Sequence, residues 1–81
     1  MKLVELTEFL VKNLVEDPET VSVRQMDDDD VIIIEVLVSE DDIGAIIGRG
    51  GQVANAIRTI VYASSYVNNN DKKVRINIDS I

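Results

Sequence analysis

The stretch Val31-Ile32-Ile33-Ile34-Glu35-Val36-Leu37-Val38 constrains this chain more than any other part of it. All but one of its side chains are apolar and most are β-branched, which disfavours helix and suits a strand. Ile32, Ile34, Val36 and Val38 share one face of that strand, while Val31, Ile33 and Leu37 share the other with Glu35, its sole polar member. If one face meets helices, the second leaves an apolar strip that needs cover, from a side chain or loop of the same domain or from a partner protein or second copy.

Everything else in the chain has to serve that strand within 81 residues, so one small domain over 1–81 is expected. Leu3, Leu6, Leu10 and Leu14 recur at helical spacing, and Pro18 is expected to end that helix. Thr20 to Met26 alternates around Val21 and Val23 as a strand. Asp27 to Asp30 then form a solvated turn that also discourages edge pairing. Ser39 and Asp42 have the spacing of a helix start, leading a short helix with Ile43, Ile46 and Ile47. Val53, Ile57, Ile60, Val61, Ser64 and Val67 give a longer helix, for which Asn68, Asn69 and Asn70 offer a left-handed cap. Lys73 to Asp79 alternates around Val74, Ile76 and Ile78 as a last strand. The order α-β-β-α-α-β implies an α+β fold, with three strands, helices on one face and a crossover long enough for a parallel pair.

Composition removes much chemistry. With neither Cys nor His there are no disulfides, no thiolate or imidazole catalysis and no zinc site of the usual kind. No cofactor and no metal site are expected. The aspartate run lacks the glycine and distal glutamate of a calcium loop, and consecutive carboxylates point in different directions. Without a long apolar span or a leader, an intracellular, cytoplasmic, soluble protein is expected. The formal charge of −7 is uneven: residues 1–42 hold 13 acids and 3 bases, residues 43–81 hold 2 acids and 5 bases. The second half therefore suits a polyanion even though the whole chain does not.

Gly48-Arg49-Gly50-Gly51 lies in that second half, between the two apolar-striped helices. Glycines there permit a sharp turn and close approach of a ligand, the next helix presents unpaired amides at its positive end, and Arg49 adds a charge. A tight turn without a ligand is the alternative. A Walker loop is excluded because Gln52 and Val53 follow Gly51, and a dinucleotide fingerprint because a helix precedes and Val53 replaces its last small residue.

The run Ile46-Ile47-Gly48-Arg49-Gly50-Gly51, followed by Ala56-Ile57-Arg58, resembles the GXXG segment of KH domains. The element order matches the type II KH fold, and the whole resembles the small bacterial KhpA family. That resemblance implies a non-catalytic single-stranded RNA-binding module acting as an RNA chaperone or post-transcriptional regulator linked to cell shape. It makes Gly48 and Gly51 the fixed glycines, with Arg49 and Gly50 approaching phosphates. Gly44 and Ala45 leave room for bases, Ile47 is a core position, and an apolar groove lies beside the loop. Gly50 departs from the polar or basic residue common in the family, so loop charge rests on Arg49. Arg58, Lys72, Lys73 and Arg75 contribute if the fold brings them near; scattered surface charge is the alternative. Phe9, Tyr62 and Tyr66 are too few for an RRM-type stacking platform. Family resemblance further implies a homodimer, or a heterodimer with a larger KhpB/Jag-like protein. A protein-protein adaptor with little RNA binding of its own is the competing expectation.

Overall fold

The computed structural model describes residues 2–68 and 71–81. Helix α1 spans Leu3–Lys12, strand β1 Ser22–Asp28, strand β2 Val31–Val38, helix α2 Glu40–Ile47, helix α3 Gln52–Val67 and strand β3 Lys73–Ser80, with short 3-10 turns at Pro18–Thr20 and Arg49–Gly51. The expected α-β-β-α-α-β order and mixed sheet are both present. β2 is the central strand, antiparallel to β1 and parallel to β3. The crossover through α2 and α3 makes the parallel pair possible.

Ile32, Ile34, Val36 and Val38 point from β2 into the helix layer and are buried with Leu3 and Val11 of α1, Ile46 of α2, Ile57 and Val61 of α3, and Ile76 of β3. Each such side chain contributes about 1.5–3 kcal/mol of transfer free energy, which makes β2 the keel of the fold. Its opposite face is half-buried. Arg24 and Met26 of β1 pair across from Glu35 and Ile33, and Lys73 and Arg75 of β3 from Val31 and Ile33, so flanking side chains supply the cover. An Arg24–Glu35 ion pair at 3.2 Å crosses the strip. The outer face of β2 is thus a shared three-strand surface, and it is not a bare apolar strip.

Several local expectations need correction. Helix α1 stops at Asn13, five residues ahead of Pro18, because the Asn13 side-chain amide donates to the Phe9 carbonyl at 2.7 Å and competes with the backbone. Pro18 opens a 3-10 turn, and Thr20 belongs to that turn. The buried line of α1 is Leu3, Thr7 and Val11, with Leu14 exposed; Thr7 is accommodated because its hydroxyl donates to the Leu3 carbonyl at 2.8 Å. In α3 the buried line is Ala54, Ile57, Val61 and Ser65, leaving Ile60 and Val67 exposed. Asn68 has φ −87°, so it is not a left-handed cap; Asn69 and Asn70 lie outside the described residues. The aspartate turn is shorter than expected, since Asp27 and Asp28 finish β1 and only Asp29 and Asp30 make the reversal.

Candidate nucleic-acid interface

The Gly48–Gly51 loop is a backbone device before it is a charge device. Gly48 sits at φ 74°, ψ 178°, a region that only glycine occupies readily, and Gly50 and Gly51 are left-handed at φ 63° and 80°. Gly48 is also sterically required: a Cβ there would lie 2.5 Å from Val53 Cγ2 and 2.9 Å from the Val53 amide nitrogen. No neighbour crowds Gly50 in the same way. The Gly48 amide closes α2 on the Gly44 carbonyl at 2.9 Å, and the Gly51 amide turns back to the Gly48 carbonyl at 3.3 Å. These bonds end α2 and launch α3 within four residues, with Arg49 and Gly50 exposed at the tip.

Upstream, Ser39 flanks α2 as expected but does not cap it with its side chain. Its hydroxyl donates to Asp42 Oδ2 at 3.0 Å, and the buried Asp42 carboxylate accepts the Glu16 amide at 3.0 Å and the Asp17 amide at 3.2 Å. Those hydrogen bonds, the Glu16 amide foremost, outweigh burial and hold the Asp42 carboxyl below its ordinary 3.8. Asp42 therefore ties the α1–β1 connection to the helix that carries the loop.

Gly44 and Ala45 are exposed on α2 beside the loop, and a Cβ on Gly44 would meet nothing within 4 Å. Ile47 is not core. It is 41% exposed next to Gly48, while its neighbour Ile46 takes the buried position. Two adjacent isoleucines on a helix face about 100° apart, so both cannot point inward. Arg58 lies one α3 face along from the loop, but its donors are engaged: Nε and Nη2 each reach the Ile76 carbonyl at 3.3 Å, and Nη1 reaches Asn55 Oδ1 at 3.2 Å. It clamps α3 to β3. Arg75 and Lys73 pair with Ile33 and Val31 on the opposite, helix-free face of the sheet, so the loop does not gather them. Lys72 lies with Tyr62 and Tyr66 at the C-terminal end of α3.

A groove of about 450 Å³ runs between α1 and α3 beside the loop, lined chiefly by Leu10, Leu14, Val53, Ala56, Ile57 and Ile60. Leu14 and Ile60, at 47% and 46% exposure, form its open rim. The family resemblance implied an apolar groove beside the loop, but helical spacing assigned Leu14 and Ile60 to the buried stripes of α1 and α3, so this rim was not anticipated.

A mixed β-β-β sheet under three helices, with a GXXG turn joining α2 to α3, defines a type II KH domain. The model for the KH domain of KhpA and KhpB matches residues 4–78, and this chain belongs to that family. Over 74 residues it is 43% identical to an "RNA-binding protein KhpA" of Clostridium perfringens, covering 91% of this chain and 96% of that relative. A protein of the same name in Listeria monocytogenes is 42% identical over 74 residues, covering 91% and 95%. The KH family is non-catalytic. The fold is also similar to Era, a chain solved in complex with MgGDPNP and nucleotides 1506–1542 of 16S ribosomal RNA, with TM-score 0.72 and 16% identity. That match covers 98% of this chain and 30% of Era.

Proposed function

We propose that this chain is a single KH module over residues 1–81 that binds single-stranded RNA, with Gly48, Arg49, Gly50 and Gly51 holding phosphates. The observation that carries this reading is the Gly48–Gly51 turn itself. It has three positive-φ glycines, one of them sterically obligatory, and it exposes a single cation at the start of a 16-residue helix. Helix polarity and exposed amides favour an anion there, and glycine lets its backbone approach closely. Gly44, Ala45 and the exposed Ile47 border the same turn and suit unstacked bases lying on aliphatic surface. The RNA-binding names of its relatives and the RNA-bound neighbour agree with this chemistry.

Arg58 acts in this scheme by fixing α3 against β3, adding charge near the phosphates without spending its donors on them. A short footprint of about four nucleotides and few phosphate contacts make binding weak and modestly selective. The role we assign is that of a cytoplasmic RNA chaperone or post-transcriptional regulator. Replacing Arg49 and Gly50 by Asp together places two anions at the phosphate site; RNA affinity by fluorescence anisotropy at low salt should drop at least ~10-fold. Unchanged affinity with an intact circular-dichroism spectrum removes the loop from the site.

The α1–α3 groove supports a second activity: docking of another KH chain, most simply a second copy, which would bury the rims of Leu14 and Ile60. Sedimentation velocity across concentrations should show a dimer that Ile60→Glu converts to monomer. A wild-type monomer at every concentration, together with normal RNA binding, would count against the homodimer; a heterodimer with a KhpB-type KH domain is tested separately by mixing the two chains.

A further inference from the structure

The far end of α3 carries a second arrangement that the loop does not use. Asn55, Arg58, Tyr62 and Tyr66 recur at three- and four-residue spacing and so lie along one face of α3, starting from its N-cap Gly51. At a rise of about 1.5 Å per residue, Tyr66 lies roughly 22 Å along the helix from Gly51. There Tyr62, Ser65 and Tyr66 of α3 face Lys72, Lys73 and Val74 across a cleft of about 340 Å³. Tyr66 is 84% exposed and Tyr62 41% exposed, so the fold gains little from the first ring and only part of the second. Ser65 is buried and Val74 half-buried, which gives the cleft a firm floor.

We propose that this cleft is a second contact for the same single strand of RNA, in which Tyr62 and Tyr66 stack one or two bases and Lys72 takes a phosphate. The proposal rests on RNA binding at the Gly48–Gly51 loop and extends it along α3. Aromatic faces accept any base, and an ammonium group lining the same cleft selects a phosphodiester over a purely apolar ligand. Arg58, held on the Ile76 carbonyl between the two ends, keeps a positive charge along the path. The path stops at the cleft: the Lys73 amide donates to the Asp30 carbonyl at 3.0 Å, so the aspartate turn lies immediately beyond and repels further phosphates. The footprint therefore exceeds the four or so nucleotides of the loop clamp, yet ends at a defined edge.

The chain has two tyrosines and no tryptophan, so its intrinsic emission reports on these rings alone. Single-stranded oligouridines of about four and about ten nucleotides separate the two contacts. The longer strand should bind ~10-fold tighter than the shorter and quench tyrosine emission. Tyr66→Ala should abolish that length advantage while leaving the shorter strand's affinity unchanged, and Tyr66→Phe should retain it. A length advantage that survives Tyr66→Ala, or unchanged emission on saturation with the longer strand, overturns the proposal and leaves the loop reading standing. Binding of the longer strand that is lost in Tyr66→Ala but not on replacing Arg49 and Gly50 by Asp would overturn the loop reading, and with it the claim that the cleft extends that site. If neither strand binds, both fall.

Discussion

The Asp29–Asp30 hairpin and the Gly48–Gly51 loop solve the same geometric problem with different materials. Both reverse the chain in a few residues and both need positive φ, at Asp29 (43°) in one and at three glycines in the other. They lie at opposite ends of α3: the loop launches that helix, whereas the hairpin adjoins the start of β3 near its C-terminal end. One turn keeps its side chains and ends a run of four consecutive carboxylates, Asp27 to Asp30; the other needs a bare backbone at Gly48 and presents backbone and one guanidinium. The difference explains how a chain of net charge −7 can offer a polyanion a place to bind. Acidity is concentrated where the backbone needs no ligand, and it is sparse where the backbone is bare.

The largest effect should come from Gly48→Ala. Its Cβ would collide with both the side chain and the backbone of Val53, and its φ/ψ lies where alanine is strained, so destabilisation of about 2–4 kcal/mol is expected by urea unfolding. Gly50→Ala meets open space and pays only for left-handed φ, about 1 kcal/mol. Equal costs at the two positions would mean that conformation alone, and not the approach of Val53, makes the loop a glycine loop.

Carboxylates divide in the same way as the turns do. Those of Asp27 to Asp30 are exposed, whereas Asp42 is buried and saturated by two backbone amides and the Ser39 hydroxyl. Because its folded-state carboxyl titrates below the ordinary 3.8, its contribution is complete above that value and lost as pH falls through the lower, folded one. Asp42→Asn should therefore lower the melting temperature at neutral pH, and the gap from wild type should close in strongly acidic buffer. A gap independent of pH would mean that packing at this site, and not the charge, ties α2 to the α1–β1 connection.

What could be read from the sequence follows from the range of the interaction involved. The bounds of β2 were legible to the residue because its β-branched run is a local signal, and the loop was legible because clustered glycines are a local signal for the positive-φ backbone found there. Ile46 and Ile47 were not separable, since adjacent isoleucines carry no phase; nor were Ala54 and Ser65 recognised as buried, since neither has a strong apolar signature. The clamp from Arg58 to Ile76 spans 18 positions and the tie from Asp42 to Glu16 spans 26. Both are tertiary facts that no window on the sequence contains. The apolar α1–α3 rim was hidden for a related reason: helical spacing identifies an apolar face, but a face wider than the sheet beneath it leaves Leu14 and Ile60 outside.

The smallest effect tests the hairpin side of the comparison. Asp29 holds φ 43° with a side chain, at a cost that glycine would not bear, and it sits within four consecutive negative charges. Asp29→Gly relieves both burdens but gives the unfolded chain more freedom, so the net gain should be only about 0.5 kcal/mol by thermal or urea unfolding. Asp29→Asn removes the charge while keeping a side chain that tolerates left-handed backbone. If the asparagine variant is as stable as the glycine one and the gain vanishes in high salt, charge repulsion is the main burden at this turn. If glycine alone gains and salt has no effect, backbone conformation limits the hairpin just as it limits the loop, and the two turns differ only in what they show to solvent.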